Sequence, residues 1–372
     1  MKKTQRNIIL IVVSAFIVFG IVYLERQGPP NISTTENAEI ETVKTDAEKS
    51  SIYPKAKEIV NPSGFINTDG VSVEELIGKK VILIDFWTYS CINCQRTTPY
   101  LNSWYEKYSE EGLEIIGVHT PEFDFEKNIE NVKRAVDKFE IKYPVVLDNN
   151  YSTWRAYGNR YWPRKYLIDI DGYIVYDHIG EGAYNKTEDK IVELLNERSK
   201  VLGGNEVNLK DDVPENVDSV DFNKVRTPEI YLGYKRLEYI HKFPSRDCFG
   251  KSCNFEAPDS LSLNEFALDG EWLMSPESSE LKSTEGELLI KFSANKVNLV
   301  AGALESPVKA EIYLDGKKIS KDNSGYSVSD SIVNFGAHEL YNLVDLGGNY
   351  GEHILRIKLL DPGVSVFALT FG

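Results

Sequence analysis

The rhythm of apolar positions changes three times along this chain, and each change marks a different kind of structure. No charge interrupts the run from Asn7 to Leu24, whose apolar part, Ile8 to Leu24, spans 17 residues. That is longer than the core of most export signals and at the short limit for a bilayer-crossing helix. Residues 27–54, rich in Pro, Asn, Thr, Glu and Lys, show no sustained apolar period and read as a flexible tether. From 55 to 202, short apolar runs alternate with helical periods. Strands are predicted at 80–87, 113–119 and 143–147, with helices after Cys91 and near 128–140. Ile129, Val132, Val136 and Phe139 share one helical face, while Lys133, Arg134, Asp137 and Lys138 turn to water. Two strands joined at Asp171-Gly172 form a hairpin. A last helix follows, with Asn185 and Glu188 in capping-box spacing and Ile191, Val192, Leu194 and Leu195 as its apolar side. This order predicts an α/β domain, a central sheet flanked by helices.

Residues 203–228, opened by Gly203-Gly204, read as a linker or an extended arm over the surface. Beyond them the period falls to two. Short β-type runs recur from Glu287 to Phe371, separated by turns such as Asp315-Gly316, Gly347-Gly348 and Pro362-Gly363, and Leu355, Ile357 and Leu359 alternate with Arg356 and Lys358. Residues 229–372 are therefore expected to form an all-β sandwich of jelly-roll-like type.

Charge decides where the molecule works. Lys2, Lys3 and Arg6 precede the first apolar run, which favours holding that end in the cytoplasm and sending the rest outward. No small-residue cleavage site follows, so residues 1–26 are expected to be a single-pass anchor in the cell membrane with the folded domains outside; a cleaved signal and a buried core helix are the alternatives. The net charge of −15 includes those three positive residues, leaving −18 on the remainder. An acidic surface argues against nucleic acid and against adhesion to anionic lipid, so the membrane link rests on the anchor alone.

The four cysteines fall as Cys91/Cys94 and Cys248/Cys253. Cys91-Ile92-Asn93-Cys94 closely follows the run Val81–Trp87. A strand feeding such a pair into a helix places both sulfurs on one helical turn, the first where unpaired backbone N–H groups converge, an arrangement suited to a nucleophilic sulfur. Cys248 and Cys253 lack that context and read as a small structural disulfide. A zinc site there would need two more ligands, and His241 is the only histidine nearby. No metal or other cofactor is expected beyond the redox-active disulfide Cys91-Cys94.

Around this pair the sequence resembles the thioredoxin-like superfamily. Asp85, inside an apolar strand six residues before Cys91, matches the buried acid that handles a proton for the second cysteine, and its burial predicts a raised pKa. Pro99 matches the proline that kinks the first helix. Pro163, in Trp162-Pro163 before the strand from Arg164, matches the cis-proline that packs beside the disulfide. The segments Asp85–Thr97, Gly117–Phe123 and Tyr157–Pro163 look like the thioredoxin-like part of the DipZ proteins, a group near the exported reductants TlpA and ResA that include cytochrome c maturation factors. Tyr231-Leu232-Gly233, Phe266–Trp272 and Leu360–Val364 look like the β domain that follows it there. The resemblance covers residues 55–372. It implies Cys91 as nucleophile, Cys94 as resolver and Glu122 as an additional acid or base. Trp87 and Trp162 are expected to wall the site for a client peptide, and His119 to be a packing residue.

DipZ proteins also carry an electron-conducting, CcdA-like membrane domain, whereas one hydrophobic segment is found here, so a separate membrane donor such as a CcdA-like protein is the expected partner. The function this implies is an anchored thiol-disulfide oxidoreductase that reduces exported client proteins. An oxidase or isomerase uses the same cysteines in the opposite direction. A third reading is a glycan- or protein-binding molecule whose β domain carries the main role, with Trp272, Tyr341 and Tyr350 as an aromatic platform.

Overall fold

The run Val81–Trp87 is buried at every position, which requires cover on both faces of its sheet. The computed structural model describes residues 45–209, 214, 217–303 and 305–372. The expected anchor, residues 1–26, and the expected tether up to residue 44 lie outside the described residues. Among the described residues no helix is long and apolar enough to cross a membrane.

The first domain runs α1 (Asp46–Ile52), β1 (Gly64–Ile66), α2 (Val73–Leu76), β2 (Val81–Trp87), α3 (Ile92–Tyr108), β3 (Leu113–His119), α4 (Ile129–Lys138), β4 (Val145–Leu147), α5 (Ser152–Ala156), β5 (Arg164–Ile168), β6 (Ile174–Ile179) and α6 (Tyr184–Leu202). Its sheet has the order β1-β4-β3-β2-β5-β6. Strands β2, β3 and β4 are parallel, and β5 runs antiparallel to β2 with Asp85 opposite Lys165. The two-residue period of β2 separates two apolar layers. Val81, Leu83 and Trp87 face the layer that holds Cys94, Leu101 and Leu195, while Ile82, Ile84 and Phe86 face Val73 and Trp154. Asp85 takes its place on the first of these faces.

Two local expectations are corrected. The tether does not extend to residue 54: residues 46–52 form α1, closed by a capping box between Thr45 and Glu48. The helix is held by Lys49, only 3% exposed, whose Nζ meets Asp169 at 2.7 Å, Asp171 at 2.6 Å and also Glu197. Nor does α6 begin with an Asn185/Glu188 capping box. Its N-cap is Ala183 in the left-handed region, and Glu188 Oε1 accepts instead from Lys107 Nζ at 3.1 Å and Tyr108 Oη at 2.8 Å.

The second domain contains β7 (Ile230–Tyr231), β8 (Ser252–Phe255), β9 (Phe266–Met274), β10 (Ser279–Leu281), β11 (Gly286–Ala294), β12 (Lys296–Ala303), β13 (Val308–Leu314), β14 (Lys317–Lys318), β15 (Val328–Ser329), β16 (Ile332–Phe335), β17 (Glu339–Asp345), β18 (Gly351–Leu359) and β19 (Val364–Phe371). Its strands follow the path β15-β16-β13-β18-β11-β9-β10-β19-β12-β17. Strand β9 joins the two halves of the path, pairing β11 through Phe266–Asp269 and β10 through Trp272–Met274. Both halves contribute to one apolar core that includes Phe266, Trp272, Ile290, Ile357 and Leu369.

A separate apolar cluster joins the domains. Phe123 packs with Val300, Leu340, Phe367 and Ala368, and Ile92, the first spacer residue between the cysteines, lies against it. Polar contacts surround the cluster: Tyr89 Oη donates to His338 O at 3.1 Å, and Lys138 Nζ meets Glu339 Oε2 at 2.6 Å. The β domain therefore sits on the cysteine end of the first domain.

Candidate active site

Cys91 is the N-cap residue of α3, reached from β2 through Thr88-Tyr89-Ser90, and Gln95 N donates to its carbonyl at 3.0 Å. Cys91 is half-buried and Cys94, one turn on, is buried; both are free thiols. Burial pushes the Cys94 thiol well up, with the hydrogen-bonded Cys91 sulfur and the Asp85 carboxyl adding to the effect. Pro99 lies within α3.

Asp85 is 2% exposed and its Oδ1 has no hydrogen-bond partner among the described residues. Burial lifts its carboxyl from 3.8 to about 7, against the pull of Lys165. Lys165 was missed by the sequence reading. It is fully buried on β5, on the same face as Asp85, and its Nζ donates to Gly180 O at 3.2 Å. Burial pushes this amine down while Asp85 and Cys94 pull it up. Both groups are thus driven toward their neutral forms, one able to gain and the other to lose a proton. A lysine on a strand face whose other members are apolar was the available signal.

The segment before Cys91 is anchored by another residue that the sequence did not single out. Glu126, with no exposed surface, accepts from Ser90 Oγ at 2.6 Å, Glu122 N at 2.6 Å and Phe123 N at 3.0 Å. One buried carboxylate therefore fixes both the cysteine loop and the loop that carries Glu122. Arg96 does the same for the spacer: it grips Glu181 through Nε and Nη2, and Nη2 also donates to Asn93 Oδ1 at 2.8 Å.

The Trp162-Pro163 bond is cis, and β5 starts at the next residue. Trp162 Nε1 donates to Thr120 O at 3.0 Å, and its ring faces a crevice of about 780 Å³ shared with Cys91, Glu122, Glu229, Tyr231 and Arg236. Trp87 differs from its expected role. At 2% exposure, edge-on to His119, it belongs to the core and presents no surface to a client. Burial lowers His119 to about 3, so the ring packs as neutral imidazole between Trp87 and Tyr89.

Glu122 reaches the crevice with partners from the β domain. Its Oε1 accepts from Arg236 Nη1 at 2.7 Å and from Tyr231 Oη at 2.8 Å. The Arg236 guanidinium lies 3.5 Å from the centre of the Tyr231 ring. Gly233, between them in sequence, is packed so closely that a Cβ would lie 2.2 Å from the Glu277 carbonyl carbon. These partners stand more than 100 residues from Glu122, so no local pattern disclosed them.

Cys248 and Cys253 are bonded to one another, and His241 pairs with Glu265 at 3.2 Å. The aromatic platform does not form. Trp272 and Tyr341 are buried, and Tyr350 Oη accepts from Asp221 N at 2.9 Å, tying down the arm. Among the described residues, the one grouping of acids close enough to share a cation, Asp169, Asp171 and Glu197, surrounds the Lys49 amine.

Residues 62–195 match the Redoxin family, and residues 227–372 match the family described as the thioredoxin-like C-terminal domain. Protein DipZ of Mycobacterium tuberculosis is 32% identical over 358 residues, covering 95% of this chain and 48% of DipZ. The chain thus spans about half the length of the DipZ relatives it matches. Thiol-disulfide oxidoreductase ResA of Bacillus anthracis is 35% identical over 147 residues, covering 38% of this chain and 78% of ResA. Among solved structures, a thiol-disulfide isomerase from Corynebacterium glutamicum is 23% identical, covers 39% of this chain and 97% of that one, and has a TM-score of 0.35.

Proposed function

Because the chain belongs to the thioredoxin-like family of thiol-disulfide oxidoreductases that includes ResA and DipZ, we propose that it reduces disulfides in exported proteins through Cys91 and Cys94. The observation that carries this reading is the asymmetry of the pair. Cys91 opens into the crevice, whereas Cys94 is buried on the face that carries Asp85 and Lys165.

The steps follow from that asymmetry. The Cys91 sulfur attacks one sulfur of the client disulfide, forming a mixed disulfide and releasing the other client sulfur. Cys94 then gives its proton to Asp85 and attacks the Cys91 sulfur, and the second client sulfur leaves. Two electrons pass from the cysteine pair to the client. The raised Asp85 suits the exchange, since a carboxyl poised at about 7 both accepts and returns a proton near neutrality. Reduction of the resulting Cys91-Cys94 disulfide falls to a membrane electron donor such as a CcdA-like protein. In this reading the N-terminal apolar segment anchors the folded domains outside the cytoplasm, and clients include apocytochrome c cysteines awaiting haem.

Replacing the resolving thiol tests the assignment. A Cys94→Ala chain expressed in its own host is expected to accumulate reducible covalent adducts at Cys91, whose identity names the clients, while Cys91→Ala captures none. Adducts formed through Cys94 in the Cys91→Ala chain would reverse the roles.

A further inference from the structure

One hydroxyl in the crevice is shared by two carboxyl groups. Tyr231 Oη lies 2.8 Å from Glu122 Oε1 and 2.8 Å from Glu229 Oε2. A phenol carries a single hydrogen, and a carboxylate has none to offer. Two hydrogen bonds at this oxygen therefore need a second hydrogen, and a carboxyl is its source. Arg236 decides which one, because it donates to Glu122 Oε1, the same atom that Tyr231 reaches, and so makes Glu122 the accepting end. The second hydrogen belongs on Glu229. The order becomes Glu229 donating to Tyr231, Tyr231 to Glu122, and Arg236 to Glu122, with Glu122 and Cys91 in the walls of one crevice.

We propose that Glu229, Tyr231 and Glu122 store one proton beside Cys91 and deliver it to the first sulfur that leaves a client disulfide, so that the β domain completes the redox site. This rests on the disulfide-reducing reading above. Desolvation of the Glu229 carboxyl and the adjacent Glu122 charge lift it to about 7, against Tyr231 and Arg236, although the residue keeps an exposed flank. The other ionisable groups around the chain are Cys91, Arg160, Tyr161 and Arg226 in the crevice, with Tyr151, Glu126 and Glu277 behind Glu122 and Arg236.

The step balances. Cys91 attacks as a thiolate, its own proton having gone to solvent. The Cys91–client S–S bond forms and the client S–S bond breaks, and the departing sulfur keeps that bond's electron pair. It takes a proton from the Glu122 end of the chain as Tyr231 passes one along from Glu229, and solvent refills Glu229. Glu122, which lines the same crevice as Cys91, is the group that hands the proton over, while Tyr231 and Glu229 act through it as positioning residues.

The test contrasts two leaving groups with the full-length reduced chain at neutral pH. Oxidised glutathione releases an alkyl thiol that needs a proton, whereas dithiobis(nitrobenzoate) releases an aromatic thiolate that is stable without one. Glu229→Gln and Tyr231→Phe are each expected to slow glutathione disulfide reduction about tenfold and to leave the aromatic probe within about twofold. Equal slowing of both probes, or of neither, overturns the proton store. A wild-type chain that reduces neither probe overturns the disulfide-reducing reading instead. Infrared difference spectra supply a second readout: a protonated-carboxyl band that titrates near pH 7 and is lost in Glu229→Gln. Asp85 contributes a band of the same kind, so the readout is the wild-type minus Glu229→Gln difference, and a difference without a protonated-carboxyl band refutes the shared proton.

Discussion

Replacing Asp85 by Asn keeps the shape of the side chain and removes its charge, so the variant isolates what burying that carboxyl does. In the unfolded chain the carboxyl titrates near 3.8; in the fold it holds its proton to about 7. Between those values the folded state binds more protons, so stability falls as pH rises from about 4, and the loss is complete above about 7. At about 1.4 kcal/mol per pH unit the interval corresponds to a ceiling of ~4 kcal/mol. Asp85→Asn is therefore expected to stabilise the reduced protein by roughly 1–4 kcal/mol at pH 8 and by nearly nothing at pH 4, read from guanidinium unfolding midpoints across that range. The same variant is expected to slow Cys94 attack on a mixed disulfide at Cys91 about a hundredfold, because the proton acceptor is gone. A stability gain of equal size at both pH values, or a loss at pH 8, would refute the assignment of Asp85 as a desolvated acid.

Three further substitutions probe the scaffold. Lys49→Met removes the buried amine between Asp169, Asp171 and Glu197, leaving three crowded carboxylates, and is expected to destabilise the first domain by about 3–5 kcal/mol in urea titrations at neutral pH. Glu126→Ala strips the acceptor from Ser90 Oγ and from the Glu122 and Phe123 amides, at about 1–3 kcal/mol for each stranded donor, so the melting temperature and the rate of Cys91 alkylation should change together. Gly233→Ala drives a Cβ to 2.2 Å from the Glu277 carbonyl carbon, and a lowered melting temperature with weakened docking of the β domain is expected from calorimetry and limited proteolysis.

Strong periodicity made much of the fold legible. Strand β3 coincides with the run Leu113–His119, and α4 lies within 128–140 because Ile129, Val132 and Val136 repeat at helical spacing. Short or mixed segments did not speak for themselves. α1 has almost no apolar face, since a lysine among three distant carboxylates replaces the usual hydrophobic seal. At the site, the cysteines and Asp85 stood out because a charge or a thiol beside an apolar strand breaks a pattern. Trp87 misled, since an aromatic at a strand end reads the same whether it faces a client or the core, and its place on the Cys94 face decides for the core. Arg236, Tyr231 and Glu229 were invisible for a different reason: their roles exist only once the β domain is docked on Ile92 and Phe123.

The reduction potential of the Cys91/Cys94 pair, measured by equilibration with glutathione or dithiothreitol buffers, bears most directly on the reading of this protein as a reductant. A buried acid ready to take the Cys94 proton, and a spacer of Ile92 and Asn93 that brings neither cation nor imidazole, predict a value near that of thioredoxin, about −270 mV. A value near about −120 mV, that of a strong oxidant, would contradict it.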